Sequence, residues 1–280
     1  MSIARFMQMA AAGVETSPWK ANPISEATYD SKSFSVQNQS NSPWSVSFNP
    51  DGDAMYISDQ SFSAEVFQYS LSTSGDVSTA SYASKKFSFA SQDDTIRSHF
   101  IADSGTKMYG IGTGQNTVYQ YSLSTAYDVS SASYSSKSFD VSSEATLMYE
   151  VHLGSEGAKM YVLSGIADRV YQYSLSTEYD VSTASYDSVN LNLGTEEATP
   201  RGISFSIDGT KLYAIGNSND TVFQYTMTTA WDLSTASYDN ESFSVSSQDN
   251  SPNALTFNQD GTKMYVVGDT ANSVFQYTTG

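Results

Sequence analysis

Residues 273–277 are Ser-Val-Phe-Gln-Tyr, and the phrase Val-aromatic-Gln-Tyr within them decides the fold. The phrase occurs five times at intervals of 52 residues, with its valine at Val66, Val118, Val170, Val222 and Val274. A second phrase, Gly-x-x-Met/Leu-Tyr, precedes each copy, with its glycine at Gly52, Gly105, Gly157, Gly209 and Gly261. Self-similarity at a fixed period is typical of repeat architectures, so the chain consists of five copies of one unit.

Each copy predicts four short strands separated by turns. In the last copy, an alternating stretch over 253–257 ends in the Asp-Gly turn at 258–261, and the strands 263–268 and 273–277 follow. Asp-Gly between apolar runs favours a hairpin, because glycine accepts a positive φ without a Cβ clash. A fourth strand is visible in an earlier copy at 81–89. Short β-branched and aromatic runs at this spacing indicate antiparallel sheet.

The two ends of the chain complement each other. The last copy stops at Gly280, after its third strand, whereas residues 24–36 match the fourth-strand segment that begins at Val77. An open array would expose sheet edges at both ends, and a closed ring removes them. The sequence therefore predicts an all-β fold over residues 24–280: a five-bladed β-propeller of four-stranded antiparallel blades, with the last blade completed by the N-terminal strand.

Composition excludes several classes of function. The 280 residues carry a net charge of −17, from 30 acidic and 13 basic residues, and include no cysteine and two histidines. This charge repels nucleic acid and anionic lipid, and no apolar run is long enough to span a membrane. We find no Gly-x-Ser-x-Gly, phosphate-binding loop or zinc motif. We therefore expect no enzyme activity, no cofactor, no metal, no nucleic-acid partner and no membrane span.

Comparison of the five copies separates the residues that every blade needs from those that are free to vary. The invariant glutamines and the aspartates that open the turn before each fourth strand are predicted to satisfy backbone groups. One position at the start of the innermost strand varies between copies, and it holds Trp44, Arg97, Tyr149, Arg201 and Asn253. Such amphipathic and bidentate side chains suit the binding of glycans, carboxylates or protein loops. We expect these five to be binding residues around one rim, with Trp44, Arg97, Tyr149 and Arg201 exposed. Drift on an unconstrained loop is the alternative.

For the histidines and the paired acidic residues we expect structural or solvent-exposed roles. His99 and His152 both lie on innermost strands, near Glu150, but at positions one residue out of register with each other. We expect them to fill the central channel, while metal binding and acid–base catalysis stay open as alternatives. The acidic pairs 93–94 and 196–197 are expected to be solvated loop residues rather than a glycosidase pair.

Residues 1–23 match no part of the repeat and form a separate N-terminal region. Ile3, Phe6, Met7 and Ala10 have the spacing of one helix face, so a short amphipathic helix is possible here. We expect an attachment arm whose contacts are made by a few residues near its start: Ile3, Arg5, Phe6, Met7 and Met9. A mobile tail and a cleaved signal peptide are the alternatives, although Gln8 interrupts the short apolar stretch.

The segment Arg5-Phe6-Met7-Gln8-Met9-Ala10-Ala11-Ala12-Gly13 resembles the start of virion proteins of marine tailed bacteriophages, including cyanophages. In that group a shared start precedes different downstream domains, which implies a common docking peptide. The repeats, with Asp-Gly-Thr-Lys-Met-Tyr and Val-Phe-Gln-Tyr, also resemble propeller repeats of marine phage and bacterial proteins. The resemblance implies a protein of the virion surface.

The first hypothesis is therefore a non-enzymatic phage virion structural protein, either a capsid decoration or a tail or fibre component. Its arm would bind other virion proteins, and its propeller would contact a host surface glycan or protein. The alternatives are an extracellular, lectin-like module without a particle and, third, a polysaccharide-cleaving propeller.

Overall fold

The computed structural model describes residues 19–60, 64–144 and 146–280. The predicted arm contacts Ile3, Arg5, Phe6, Met7 and Met9 lie outside these ranges, as does the predicted helix. Within the described residues, no helix has the length and apolar character that crossing a bilayer would require.

Twenty strands form five four-stranded antiparallel sheets, so the chain is the predicted five-bladed propeller. Blade one contains β2 (Pro43–Phe48), β3 (Ala54–Asp59), β4 (Glu65–Leu71) and β5 (Ala80–Ser88). Blade two contains β6 (Ile96–Ala102), β7 (Lys107–Gly112), β8 (Thr117–Leu123) and β9 (Ala132–Asp140). Blade three contains β10 (Met148–Gly154), β11 (Lys159–Ser164), β12 (Arg169–Leu175) and β13 (Ala184–Asn192).

Blade four contains β14 (Pro200–Phe205), β15 (Lys211–Gly216), β16 (Thr221–Met227) and β17 (Ala236–Ser244). Blade five contains β18 (Pro252–Phe257), β19 (Lys263–Gly268), β20 (Ser273–Thr278) and the N-terminal β1 (Thr28–Ser35). The helices in the described residues are 3-10 turns of three residues: Ile24–Glu26, Val77–Thr79, Asp103–Gly105, Val129–Ser131, Ser155–Gly157, Val181–Thr183 and Leu233–Thr235.

Burial explains the hydrophobic pattern of the strands. The innermost strands β2, β6, β10, β14 and β18 pack against one another in a ring, and the second strand of each blade is buried on both faces. These strands are apolar in sequence because a blade packs against a neighbour on each side. The outermost strands instead alternate between buried and exposed residues. The core is thus divided among the junctions between blades.

The ring is closed by β1, as the sequence predicts. β1 pairs antiparallel with β20, with Phe34 opposite Val274 and Thr28 opposite Thr278. Asp30 strengthens this closure, because its carboxylate accepts bonds from Lys263 Nζ at 2.9 Å and Gln276 Nε2 at 2.8 Å. The last blade is therefore completed by a strand more than 200 residues away in sequence.

The invariant glutamines and aspartates have the structural roles predicted for them. Gln68 Oε1 accepts a hydrogen bond from Val129 N at 3.1 Å, and Gln224 Oε1 accepts one from Ile24 N at 3.0 Å. The other three bonds of the set join Gln120 to Val181, Gln172 to Leu233 and Gln276 to Val77. Each aspartate caps the 3-10 turn that follows it, and the set is Asp76, Asp128, Asp180 and Asp232.

Candidate functional site

A β-bulge places the variable position of every blade. In each innermost strand the pairing skips one residue directly after the first, and the skipped residues are Trp44, Arg97, Tyr149, Arg201 and Asn253. A bulged residue is released from the ladder and its side chain is re-aimed, which is why bulges occur often beside functional sites. The five predicted residues are therefore equivalent in structure as well as in sequence.

Four of the five converge in a single cluster. The guanidinium carbon of Arg97 lies 3.6 Å from the ring centroid of Trp44 and 4.6 Å from that of Tyr149. The guanidinium carbon of Arg201 lies 4.7 Å and 5.6 Å from the same two centroids. The two rings lie 5.4 Å apart. Both cations thus share one pair of aromatic rings at the end of the innermost strands, in an arrangement that cation–π attraction stabilises.

Asn253, the fifth residue, has a structural role instead. Its side chain is fully buried, and its Nδ2 donates to the backbone oxygen of Pro43 at 2.9 Å. It therefore links the innermost strand of blade five to that of blade one. The expectation that Trp44 is exposed is also wrong, since only 4% of it is accessible, and Arg97, Tyr149 and Arg201 are only partly exposed. Trp44 is buried because the Arg97 and Arg201 guanidinium groups pack against its ring.

The two arginines of the cluster form no ion pair within the described residues, although the carboxylate of Asp269 is close enough to interact electrostatically with both. All nine lysines of the chain form ion pairs with carboxylates. Within the described residues, neither Arg97 nor Arg201 forms such a pair, and the buried Nε of Arg97 has no hydrogen-bond partner. Burial lowers the pKa of Arg97 to about 10, an effect that Tyr149 opposes and the Arg201 charge reinforces. The guanidinium still carries its charge at neutral pH.

Asp269 completes this cluster, and sequence reasoning missed it. It follows β19, and its Oδ1 lies 3.4 Å from Ser42 Oγ, which accepts a bond from Trp44 Nε1 at 3.1 Å. Burial raises the pKa of Asp269, while a hydrogen bond from Asn253 and the charge of Arg201 partly offset that rise. We call Trp44, Arg97, Tyr149, Arg201 and Asp269 the axial mouth.

Alignment of the five repeats contains a signal that could have identified Asp269. The residue that follows the second strand of each blade donates its backbone N–H to the loop before the innermost strand, and these residues are Gln60, Thr113, Gly165, Asn217 and Asp269. These residues differ from blade to blade, as the bulge residues do, and they form a second ring of variable positions beside the ring of bulge residues. Gly165 has a specific role there, because a Cβ on it would lie 1.8 Å from the ring of Tyr149. Leu147 and Ile166, which are close in sequence to Tyr149 and Gly165, are exposed.

The paired acidic residues hold the mouth loops together, which corrects the expectation that all are solvated. Asp93 and Glu197 are buried. Asp93 accepts from Thr95 N at 2.8 Å and Gln115 N at 3.1 Å, so its carboxylate joins the loops on either side of the first two strands of its blade. Glu197 accepts from the equivalent amides in blade four, Thr199 N at 2.9 Å and Asn219 N at 3.2 Å. The carboxylates are used by backbone donors, which explains their burial.

Behind the mouth, Glu150 is a buried carboxyl. It follows Tyr149 in β10 and is hydrogen-bonded by Ser98 Oγ. Burial raises the pKa of Glu150 to about 8, and the bond from Ser98 only partly opposes that rise. The group is therefore mainly protonated at pH 7 and adds little charge beneath the two arginines.

The two histidines lie in different surroundings, as their register predicts. His99 is buried between blades one and two, with its ring nitrogens 2.6 Å from Ser58 Oγ and 2.7 Å from Ser47 Oγ. His152 packs between Phe100 and Phe205, with centroid distances of 4.4 and 4.9 Å. Burial lowers the pKa of both histidines, to about 3. The described residues contain no group of three or more metal-ligating side chains.

Comparison with known proteins supports the fold and goes no further. No family model and no curated protein matches the sequence. Among solved structures, the β-propeller domain of Myceliophteria thermophila Cps50 (Swd1) matches with a TM-score of 0.54 at 8% identity, covering 91% of this chain and 100% of that one. The match is to the propeller architecture.

Two further structures have lower scores. A functionally unknown protein from Desulfotomaculum acetoxidans has a TM-score of 0.49 at 10% identity, covering 81% of this chain and 62% of its own. A Bacteroides fragilis protein, whose name suggests 6-phosphogluconolactonase activity, has a TM-score of 0.49 at 15% identity, covering 72% of this chain and 55% of its own. The chain thus spans less than two thirds of both. A shared propeller carries no activity with it.

Proposed function

We propose that this protein is a non-enzymatic binding module displayed on a phage virion, and that its axial mouth recognises a carboxylate-bearing sugar of a surface glycan. The observation that carries the proposal is the unpaired state of Arg97 and Arg201. In a protein with a net charge of −17 whose lysines are all ion-paired, two adjacent arginines that form no ion pair and share one acidic neighbour, Asp269, favour an anionic ligand.

The chemistry of the mouth fits an acidic sugar. Arginine presents a planar set of donors that matches a carboxylate in bidentate geometry. Like charges close together repel, so an anion between Arg97 and Arg201 relieves a cost that the free protein carries. Tyr149 and the exposed Ile166 provide an apolar surface for the faces of a sugar ring. On the other side of the axial mouth, the carboxylate of Asp269 accepts hydrogen bonds from the hydroxyl groups of the sugar.

The path of the chain suits display on a particle. Trp19 and Lys20 pack on the Asp-Gly turn of blade five, with Lys20 N donating to Asp260 O at 2.8 Å. That turn follows the last residue of β18, whereas the axial mouth lies at the first residues of the innermost strands. The two are thus at opposite ends of strands of six residues, or about 20 Å. An arm bound to a virion would leave the axial mouth facing outward.

The alternatives differ in what they require. An extracellular lectin-like module would use the same mouth without any particle. A polysaccharide-cleaving propeller would need two carboxyl groups across the scissile bond. Glu150 is buried behind the mouth, and Asp269 is its nearest acidic counterpart among the mouth residues. We favour binding because Glu150 is already engaged by Ser98.

Calorimetric titration with an oligogalacturonate and with its neutral methyl ester tests the ligand class. We expect binding of the acid form to fall at least tenfold in Arg201→Gln, because a charge-assisted bidentate pair is lost. Arg169→Gln is the matched control, since Arg169 bonds to Asn190 away from the mouth. Equal binding of acid and ester, or equal binding by both variants, would contradict an anionic ligand.

Deletion of residues 2–13 tests the display. The deleted protein should keep its glycan binding and lose incorporation into particles. Unchanged incorporation would favour the lectin-like alternative, while turnover of any glycan that disappears in Glu150→Gln would favour the enzyme.

A further inference from the structure

Each junction between blades contains a site for an aromatic ring. The tyrosine of the second strand of each blade lies beside this site. In three junctions its hydroxyl donates to a backbone oxygen of the residue whose ring occupies the site. These bonds join Tyr56 to Tyr127, Tyr109 to Tyr179 and Tyr161 to Trp231. In a fourth, the Tyr213 hydroxyl accepts from Trp19 Nε1 at 3.2 Å. In the fifth, between blades five and one, the Tyr265 hydroxyl donates to Gly75 O at 2.9 Å. The residue in the aromatic position there is a glycine.

Wherever the aromatic ring is present, it covers the glycine of the turn between the first two strands of a blade. A Cβ added to Gly105, Gly157, Gly209 or Gly261 would lie between 2.3 and 2.8 Å from the ring of Tyr127, Tyr179, Trp231 or Trp19. The equivalent Gly52 instead faces Ser74 Oγ and the backbone of Gly75. No side chain of Gly75 fills the space that a ring fills in the other four junctions.

That space is part of a cavity of about 440 Å³ that is open to solvent. Its lining includes Gly52, Ser74 and Gly75 of blade one and Asn258, Asp260 and Tyr265 of blade five. It lies on the Asp-Gly-turn side of the propeller, at the far end of the innermost strands from the axial mouth. It is therefore a separate site from the one described above.

The backbone at Gly75 matches that of its aromatic counterparts. Gly75 has a φ of 70°, and Tyr127, Tyr179 and Trp231 have φ values of 61°, 59° and 65°. Bulky residues rarely adopt a left-handed conformation, and the surrounding structure must compensate for its cost. Packing of the ring provides that compensation in three blades. In blade one the same conformation persists without a ring to pack.

The neighbouring rings show which aromatic group fits. In the junctions covered by tryptophan, Trp231 adds a third ring to the Phe205–Tyr161 pair, and Trp19 adds one to Phe257–Tyr213. Both pairs have centroids 4.4 Å apart. The open junction contains the equivalent pair Phe48–Tyr265, 4.3 Å apart, which we call the two-ring platform, and Tyr265 of this pair lines the cavity.

We infer that the cavity between blades one and five is a docking site for a tryptophan or tyrosine side chain of a partner protein. The two-ring platform stacks the incoming ring, and an indole N–H can donate to the Tyr265 hydroxyl as Trp19 does to Tyr213. Asp51 at the rim forms no ion pair within the described residues and favours a partner segment that carries a basic residue beside the aromatic one, whereas Asp260 is already paired with Lys20.

Binding of 5-fluoroindole to the full chain, followed by fluorine NMR, tests the site. We expect one site in the wild type, with shifts of the Gly52 and Gly75 amides in a matched nitrogen–proton spectrum. Gly75→Trp should abolish binding and raise Tm by about 2–4 °C, because its ring fills the cavity. Trp231→Gly should open a second cavity above the Phe205–Tyr161 pair and raise the number of sites to two.

Three results would overturn the inference: no binding by the wild type, binding that survives in Gly75→Trp, or no second site in a folded Trp231→Gly variant. If the Phe6→Ala variant binds 5-fluoroindole and the wild type does not, the protein's own N-terminal segment occupies the cavity. That result would also overturn the inference of a partner protein. The partner's chemistry is checked with peptides of the form Lys-Trp-Lys, which should bind at least tenfold more tightly than Glu-Trp-Glu.

Discussion

The guanidinium carbon of Arg97 lies 3.6 Å above the centroid of the Trp44 ring, although the two residues are 53 positions apart and belong to adjacent blades. Each occupies the bulge of its own innermost strand. The contact buries the indole, while the guanidinium group forms no ion pair within the described chain. Trp44 therefore stabilises the charged guanidinium group of Arg97 through the cation–π contact, and its buried ring covers the end of the core.

Replacing Trp44 tests how much this stacking contributes to the fold. Trp44→Leu should lower the free energy of unfolding by about 2–4 kcal/mol, because a buried ring and its cation–π contacts are lost. Trp44→Phe keeps a ring beneath the guanidinium groups and should lose about half as much. Urea unfolding measures both values. Equal stability of the leucine and phenylalanine variants would show that only buried volume matters at this position.

Glu150 should make stability depend on pH. Its pKa is raised by burial to about 8, from 4.5 in the unfolded chain, so the folded state holds the proton more tightly. Its contribution to stability is complete below about pH 4.5 and is lost progressively as the pH rises to about 8. Glu150→Gln should remove this decline, as measured by urea unfolding from pH 5 to 8. The exposed Glu178→Gln is the control, and an unchanged decline in Glu150→Gln would contradict the assignment.

Asp30 should control the closure of the ring. Burial tends to raise its pKa, but hydrogen bonds from Thr278, Lys263 and Gln276 hold the pKa of Asp30 below its usual value. Its contribution is therefore present above about pH 4 and is lost in acid. Asp30→Asn should increase amide exchange in β1 at least tenfold. Asp239→Asn, which removes the equivalent carboxylate in blade four, should leave β1 protected, because β1 is held by blade five.

Gln224, the invariant glutamine of blade four, should hold the N-terminal start of the propeller in place at Ile24. Gln224 Oε1 accepts from Ile24 N, which lies beside a fully buried side chain. Gln224→Ala leaves that N–H without a partner and should lower the free energy of unfolding by about 1–3 kcal/mol. Gln68→Ala removes the equivalent bond to Val129 and should cost a similar amount, measured by chemical denaturation. A much smaller loss in Gln224→Ala would show that the N-terminal segment does not need this bond.

Sequence comparison could locate most of the fold and part of the axial mouth. The phrase Val-aromatic-Gln-Tyr recurs because every blade needs the same strand and the same glutamine bond, so its period counts the blades. The variable position of Arg97 and Arg201 could be identified for the same reason. Asp269 was not found, because its contact with that position depends on how two loops of different blades approach each other.

The sequence by itself determined the number of blades, the four strands of each and the closure by the N-terminal strand. These features follow from local patterns, since hydrophobic periodicity and Asp-Gly turns act within a few residues. Only the tertiary structure decided that Trp44 is buried, that Asn253 joins two blades and that Gly75 leaves a cavity beside Tyr265. Each of these depends on contacts between blades, which arise only when segments about 50 residues or more apart are packed face to face.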